Sequence, residues 1–153
     1  MATGEGSKVI SAGVLVRDGR GAVLLAHPTG AGVRSWNLPK GKVEEGEDAR
    51  AAALRELFEE ANVILNEDEL RDLGVYAYTK AKDLHLFSTE CLTDLPVESI
   101  RCRATFKVGD AREIPEMDRF AWVMPQDLDQ YCQGNMLRVL KEAFDRIEER
   151  VAD

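Results

Sequence analysis

The chain reads as an α+β fold or a mixed α/β sandwich, and three observations predict it. Residues 47–61 contain no Gly or Pro and are rich in Ala, Leu, Glu and Arg, the composition of a stable α-helix. Short β-rich apolar runs bounded by turn residues lie before and after that helix. Leu137, Leu140, Phe144 and Ile147 then recur at helical spacing, which predicts a second, amphipathic helix over 137–151. Strands with one helix between the early and late members and another at the end pack as layers.

Taken in order, residues 1–7 are small and polar and read as a loose tail, and 8–153 has the length of one domain. Residues 9–16 and 22–26 flank the Gly-containing turn 17–21, which predicts a β-hairpin. Pro28, Gly30 and Gly32 mark 27–35 as a loop, and Pro39 and Gly41 interrupt an extended piece over 36–43. After the first helix, 73–79 and 84–92 read as strands joined at 80–83. Residues 93–118 are mixed and loop-prone, with a strand near 104–108, and 120–123 form a short strand ending before Pro125.

A hydrophobic content of 44% is enough for a core. Cys91, Cys102 and Cys132 form no CxxC pair or zinc pattern, so three reduced thiols in a cytoplasmic protein are expected. The first residues lack the apolar core of a signal peptide, and no run of 18 apolar residues suggests a membrane span. The net charge of -8 argues against a DNA-coating protein. That charge is concentrated: 44–69 holds ten acids and two bases, hence -8, while the rest has 18 of each.

On a wheel stepping about 100° per residue, Leu54, Leu57, Phe58 and Ala61 form an apolar face expected to pack on the sheet. Glu59 and Glu60 flank Glu56 on the other side, joined by Ala49, Ala52 and Ala53. Arg55 is the one nearby base, spaced to pair with Glu59. Such a cluster is either a solvated acidic face or a set of hard oxygen ligands for Mg²⁺ or Mn²⁺.

The preceding segment favours the ligands. Gly41, Glu47, Arg55, Glu56, Leu57, Glu59, Glu60 and Val63 match eight of the nine specified positions of the Nudix box, Gly-x5-Glu-x7-Arg-Glu-U-x-Glu-Glu-x-Gly-U with U aliphatic. The chain thus resembles the Nudix hydrolases, and the Trp36–Lys42 approach and the late strand containing Trp122 extend the likeness over most of 8–150. Asn62 stands where the family has Gly, and Asn is the next best residue for a left-handed helix end.

The resemblance implies an α/β/α sandwich with a mixed sheet, a catalytic loop–helix–loop and a C-terminal helix. It implies Mg²⁺-dependent hydrolysis, with Mn²⁺ as an alternative ion, of a nucleoside diphosphate linked to another moiety. Carried over by position, Glu56, Glu59 and Glu60 are metal ligands, helped by the Gly41 carbonyl. Arg55 orients the glutamates and Glu47 supports the loop. Glu116, six residues before Trp122, resembles the glutamate base of diadenosine tetraphosphate hydrolases, and it also fits an ordinary loop acid. Glu113 and Glu98 are the other candidates for the base.

Pro39-Lys40-Gly41 with Glu45-Gly46-Glu47 resembles the dinucleoside polyphosphate branch, so Lys40 and Lys42 are candidate phosphate contacts, and Lys80 and Lys82 lie in an expected loop. Trp36, Tyr76, Tyr78 and Phe87 could stack on a base or serve as core, and His27 and His85 read as structural or surface residues. Arg101, Arg103 and Lys107 form a basic patch suited to a longer polyphosphate, an RNA 5′ end or a solvated edge strand. Three functions remain open: a nucleotide polyphosphate hydrolase, an RNA 5′-end pyrophosphohydrolase and a non-catalytic nucleotide-binding regulator. A homodimer is compatible with all three.

Overall fold

Alternate side chains of β1 (Val9–Leu15) enter two different cores. Ala12 and Val14 pack with Ala52, Ala53, Leu57 and Ala61 of α1 (Ala49–Ala61), whereas Leu15 joins Val139, Leu140, Ala143 and Phe144 of α2 (Gly134–Ala152). β2 (Val23–Pro28) divides the same way, Leu24 on the α1 side and Val23 and Leu25 on the α2 side. Because side chains alternate along a strand, a continuous apolar run serves two interfaces at once. The β layer therefore lies between two helices, as an α/β/α sandwich. This computed structural model describes residues 8–89, 95, 99–109 and 112–152. The expected tail 1–7, Cys91, Leu92 and Glu98 lie outside the described residues.

β3 (Lys40–Lys42), β4 (Leu70–Thr79) and β5 (Lys82–Thr89) join β1 in a sheet of order β3-β1-β5-β4. β1 is parallel to β5 and antiparallel to β3, so the sheet is mixed. β2 pairs with β8 (Met117–Val123), and β6 (Thr105–Val108) pairs with β7 (Arg112–Pro115). Among the described residues no helix is long and apolar enough to cross a membrane.

Two expectations change. The turn after β1 closes as a hairpin would, with Arg17 bridged to Val23 and the Leu24 N–H donating to the Val16 carbonyl at 2.9 Å. Beyond that point β1 and β2 part into different sheets. Each is apolar on both faces, and an isolated two-stranded ribbon cannot cover four faces. The second change is β7, which falls in a region read as loop. Its strand is almost wholly exposed and contains Pro115, so it carries no apolar alternation for a sequence pattern to register.

The α1 wheel also rotates relative to expectation. Leu57 and Ala61 are buried as predicted, but Leu54 and Phe58 are only half-buried. Ala52, Ala53 and Glu60 take the interior positions instead. Ala52 and Ala53 pack with Ala12 and Val14 of β1, and part of the acidic face is turned inward with them. The Asp48 carboxylate caps the helix by accepting the Ala51 N–H at 2.7 Å.

Candidate active site

Asn62 ends α1 at φ 61° and ψ 30°, the left-handed conformation expected of it. Its N–H donates to the Phe58 carbonyl at 2.9 Å, so the helix stops where a glycine would stop it. On β3, ahead of the helix in the chain, the approach is set by Gly41. A Cβ there would lie 2.1 Å from the Glu56 carboxyl carbon, so with the Glu56 carboxylate where it is, β3 passes this close to the acidic side of the helix because residue 41 has no side chain.

Arg55 organises the exposed side of that contact. Its Nε and Nη2 donate to the two Glu47 oxygens at 2.8 and 2.9 Å, its Nη1 donates to Glu56 Oε2 at 2.9 Å, and Nη2 reaches the Lys42 carbonyl at 3.0 Å. Glu59 Oε1 stands 3.5 Å from the same Nη1, the i,i+4 pair anticipated from spacing. The paired hydrogen bonds from Arg55, then the Glu44 backbone N–H, bring the Glu47 carboxyl down to about 2.

The interior side is less well compensated. Glu60 is 6% exposed and accepts the Lys40 backbone N–H at 3.2 Å. Burial, with the Glu56 charge beside it, pushes its carboxyl up to about 8. Burial raises Glu56 too, against the opposing pull of Arg55. Burial lowers the Lys40 ammonium, with Glu60 and Glu56 opposing that shift and Lys82 adding to it. Glu59 remains open to solvent, its side chain 43% exposed.

Glu116 is brought to this group by the tertiary fold. Its charge acts on both Glu56 and Glu60, although it is 56 residues or more away in sequence. It sits between β7 and β8, its N–H bonded to the Ala104 carbonyl and its carbonyl to the Thr29 N–H, each at 2.9 Å. Glu113 instead points into the β6–β7 ribbon and accepts the Thr105 hydroxyl at 2.9 Å. Lys42 is exposed, while the Lys40 ammonium lies 5.7 Å from the Tyr78 ring centroid. A cavity of about 370 Å³ lined by Trp36, Asn37, Tyr78, Asn135 and Met136, among others, adjoins that ring.

Trp36, Tyr76 and Phe87 are core residues. His27 is buried with its ring nitrogens 2.7 Å from Asp118 and 3.0 Å from the Gly32 carbonyl, a structural pin between a loop and β8. Among the described residues no three carboxylate, imidazole or thiolate groups already surround one point. Arg55 draws Glu56 and Glu59 one way, and the Lys40 N–H holds Glu60 another. Sequence reasoning missed the contribution of Lys82 to the charge around Lys40 and the side-chain contacts of Asn62, since both depend on segments remote from the helix.

The Nudix domain family model matches residues 7–142. The chain belongs to the Nudix family. As a Nudix hydrolase, it is an enzyme acting on phosphorus anhydride bonds. It is 36% identical over 150 residues to an uncharacterized 17.7 kDa protein of Enterobacteria phage T4, covering 90% of this chain and 96% of that one. It is 34% identical over 119 residues to the oxidized purine nucleoside triphosphate hydrolase of Mus musculus, covering 74% and 71%. A shorter match, 49% over 51 residues, links it to an RNA pyrophosphohydrolase of Roseobacter denitrificans and covers about a third of each chain. The solution structure of the E. coli ORF135 protein superposes with a TM-score of 0.66 at 21% identity, covering 100% of both chains.

Proposed function

We propose that this Nudix hydrolase is a Mg²⁺-dependent pyrophosphohydrolase of nucleotide polyphosphates, with Mn²⁺ as a competent substitute and dinucleoside polyphosphates as the favoured class. The carrying observation is the neighbouring carboxylates of half-buried Glu56 and buried Glu60, which Arg55 and Lys40 compensate only in part. Hard carboxylate oxygens with unrelieved negative charge suit a divalent cation, and Glu56, Glu59, Glu60 and the Gly41 carbonyl are the groups that would hold it. When bound, the cation supplies charge neutralisation on the phosphates and activation of water.

The chain's own residues do the rest. Arg55 orients Glu56 and Glu59, and Glu47 fixes Arg55 through two hydrogen bonds. Glu116, held by backbone bonds on both sides, is the base candidate that best fits this geometry. Lys40 and Lys42 would meet the phosphates, and the Tyr78 ring with its adjoining cavity would offer a surface for one base. The Pro39-Lys40-Gly41 and Glu45-Gly46-Glu47 phrases and Glu116 six residues before Trp122 support the dinucleoside polyphosphate reading.

A panel of dinucleoside polyphosphates, nucleoside triphosphates, ADP-ribose and 5′-triphosphorylated RNA, assayed with Mg²⁺ and with Mn²⁺, tests the proposal. Cleavage, read as the nucleotide products formed, should be fastest on a dinucleoside polyphosphate and should fall by about 10²-fold or more in Glu59→Gln and Glu60→Gln. Equal turnover in wild type and both variants would overturn it. The Roseobacter match and the exposed Arg101 and Arg103 favour the RNA 5′ end as second reading. That reading requires cleavage confined to the oligonucleotide and a steep fall with salt.

A further inference from the structure

We propose that Asn62 is a positioning residue that holds the base of the β6–β7 arm, and Glu116 with it, against the carboxylate helix. The proposal rests on the reading of Glu116 given above. Glycine at this position would adopt the left-handed helix end as easily, so the backbone alone does not explain an asparagine. Its side chain has two partners that glycine would lack. Asn62 Nδ2 donates to the Ser99 carbonyl at 2.9 Å, and Oδ1 accepts from Arg103 Nη1 at 3.4 Å.

Both partners belong to the segment that crosses the end of α1. The Arg101 N–H donates to the Ala61 carbonyl at 3.1 Å, and the Arg103 and Ala104 N–H groups donate to the Glu59 carbonyl at 2.7 and 2.9 Å. The Arg103 guanidinium lies over Phe58, 4.8 Å from its ring centroid. Ala104 then passes the connection on, because its carbonyl accepts the Glu116 N–H. Among the described residues, β6 and β7 pair only with each other, and the arm is tied to the rest of the fold at this base and at the β7–β8 junction, where the Thr29 N–H and hydroxyl donate to the Glu116 and Pro115 carbonyls at 2.9 and 2.6 Å. Asn62 thus ties the helix that carries Glu56, Glu59 and Glu60 to the strand junction that carries Glu116.

Asn62→Gly retains the helix end and deletes both side-chain bonds. It should lower kcat about tenfold with little change in KM, as the loss of a positioning contact predicts. In a double-mutant cycle it should cost nothing further in a Glu116→Gln background. By NMR hydrogen exchange, the Ala104 and Glu116 amides should exchange at least about tenfold faster in Asn62→Gly, while amides in the middle of α1 keep their rates. Additive losses in the cycle, or an unchanged Glu116 exchange rate, would overturn the proposal. Full activity of Glu116→Gln alone would instead remove Glu116 as the base, and the exchange rates would still decide the tie.

Discussion

Gly41 and Glu56 meet at a distance that leaves no room for a methyl group: a Cβ on Gly41 would fall 2.1–2.3 Å from the atoms of the Glu56 carboxylate. The obstruction is the end of a flexible side chain, so Gly41→Ala is relieved by swinging Glu56 away. It should cost only about 1–2 kcal/mol of stability. Activity should fall far more, by about 10²-fold, because the displaced group is a proposed ligand. Urea unfolding and a turnover assay on the same preparation check the split. At Gly13 an added Cβ would meet Leu38, the Lys40 Cβ and the Pro39 carbonyl at 2.4–2.9 Å. There backbone must move, so Gly13→Ala should lose more stability than Gly41→Ala.

Arg55 acts through geometry as well as charge. Lysine could keep the charge but cannot present two parallel donors to Glu47 while reaching Glu56. Arg55→Lys should therefore raise the Mg²⁺ concentration for half-activity and lower turnover, together by about 10–100-fold, the usual range for groups that orient metal ligands. Wild-type Mg²⁺ dependence in this variant would remove Arg55 from the proposed role.

The buried carboxyl of Glu60 makes stability depend on pH. Its native value of about 8 lies above the unfolded 4.5, so between these values the folded chain holds a proton that the unfolded chain releases. That stabilisation is full below about pH 4.5 and declines as pH rises toward 8. In EDTA, urea midpoints should fall from pH 5 to pH 8 in wild type and fall less in Glu60→Gln. Mg²⁺ added at pH 8 should restore wild type more than the variant. Parallel pH profiles for the two proteins would contradict this account.

The half-buried Tyr78 ring, beside Lys40 and the adjoining cavity, is the proposed resting place for a base. Tyr78→Ala should raise KM by about 5–150-fold, the worth of about 1–3 kcal/mol of stacking, with a smaller effect on kcat. Tyr78→Phe should behave like wild type. Steady-state kinetics on the best substrate of the panel separates the two parameters, and an unchanged KM in Tyr78→Ala would move the base elsewhere.

Residues 41–63 contain most of what identifies this enzyme, because helix spacing and capping are local. The order of Glu56, Glu59 and Glu60, their link to Arg55 and the left-handed end at Asn62 all follow from neighbours in the chain. Which of those glutamates faces inward does not. Glu60 is buried because Ala52 and Ala53 let β1 and β3 close on that side of α1, and no periodicity within the helix reveals which strand arrives. The same limit hid the parting of β1 from β2, the β7 strand, and the bonds from Asn62 to Ser99 and Arg103. Glu116 was one loop acid among several until residues 99–104 and the β7–β8 junction carried it to the helix. The chemical groups were legible from local order, whereas their burial, their partners and their shared charge were decided by contacts between segments far apart in the chain.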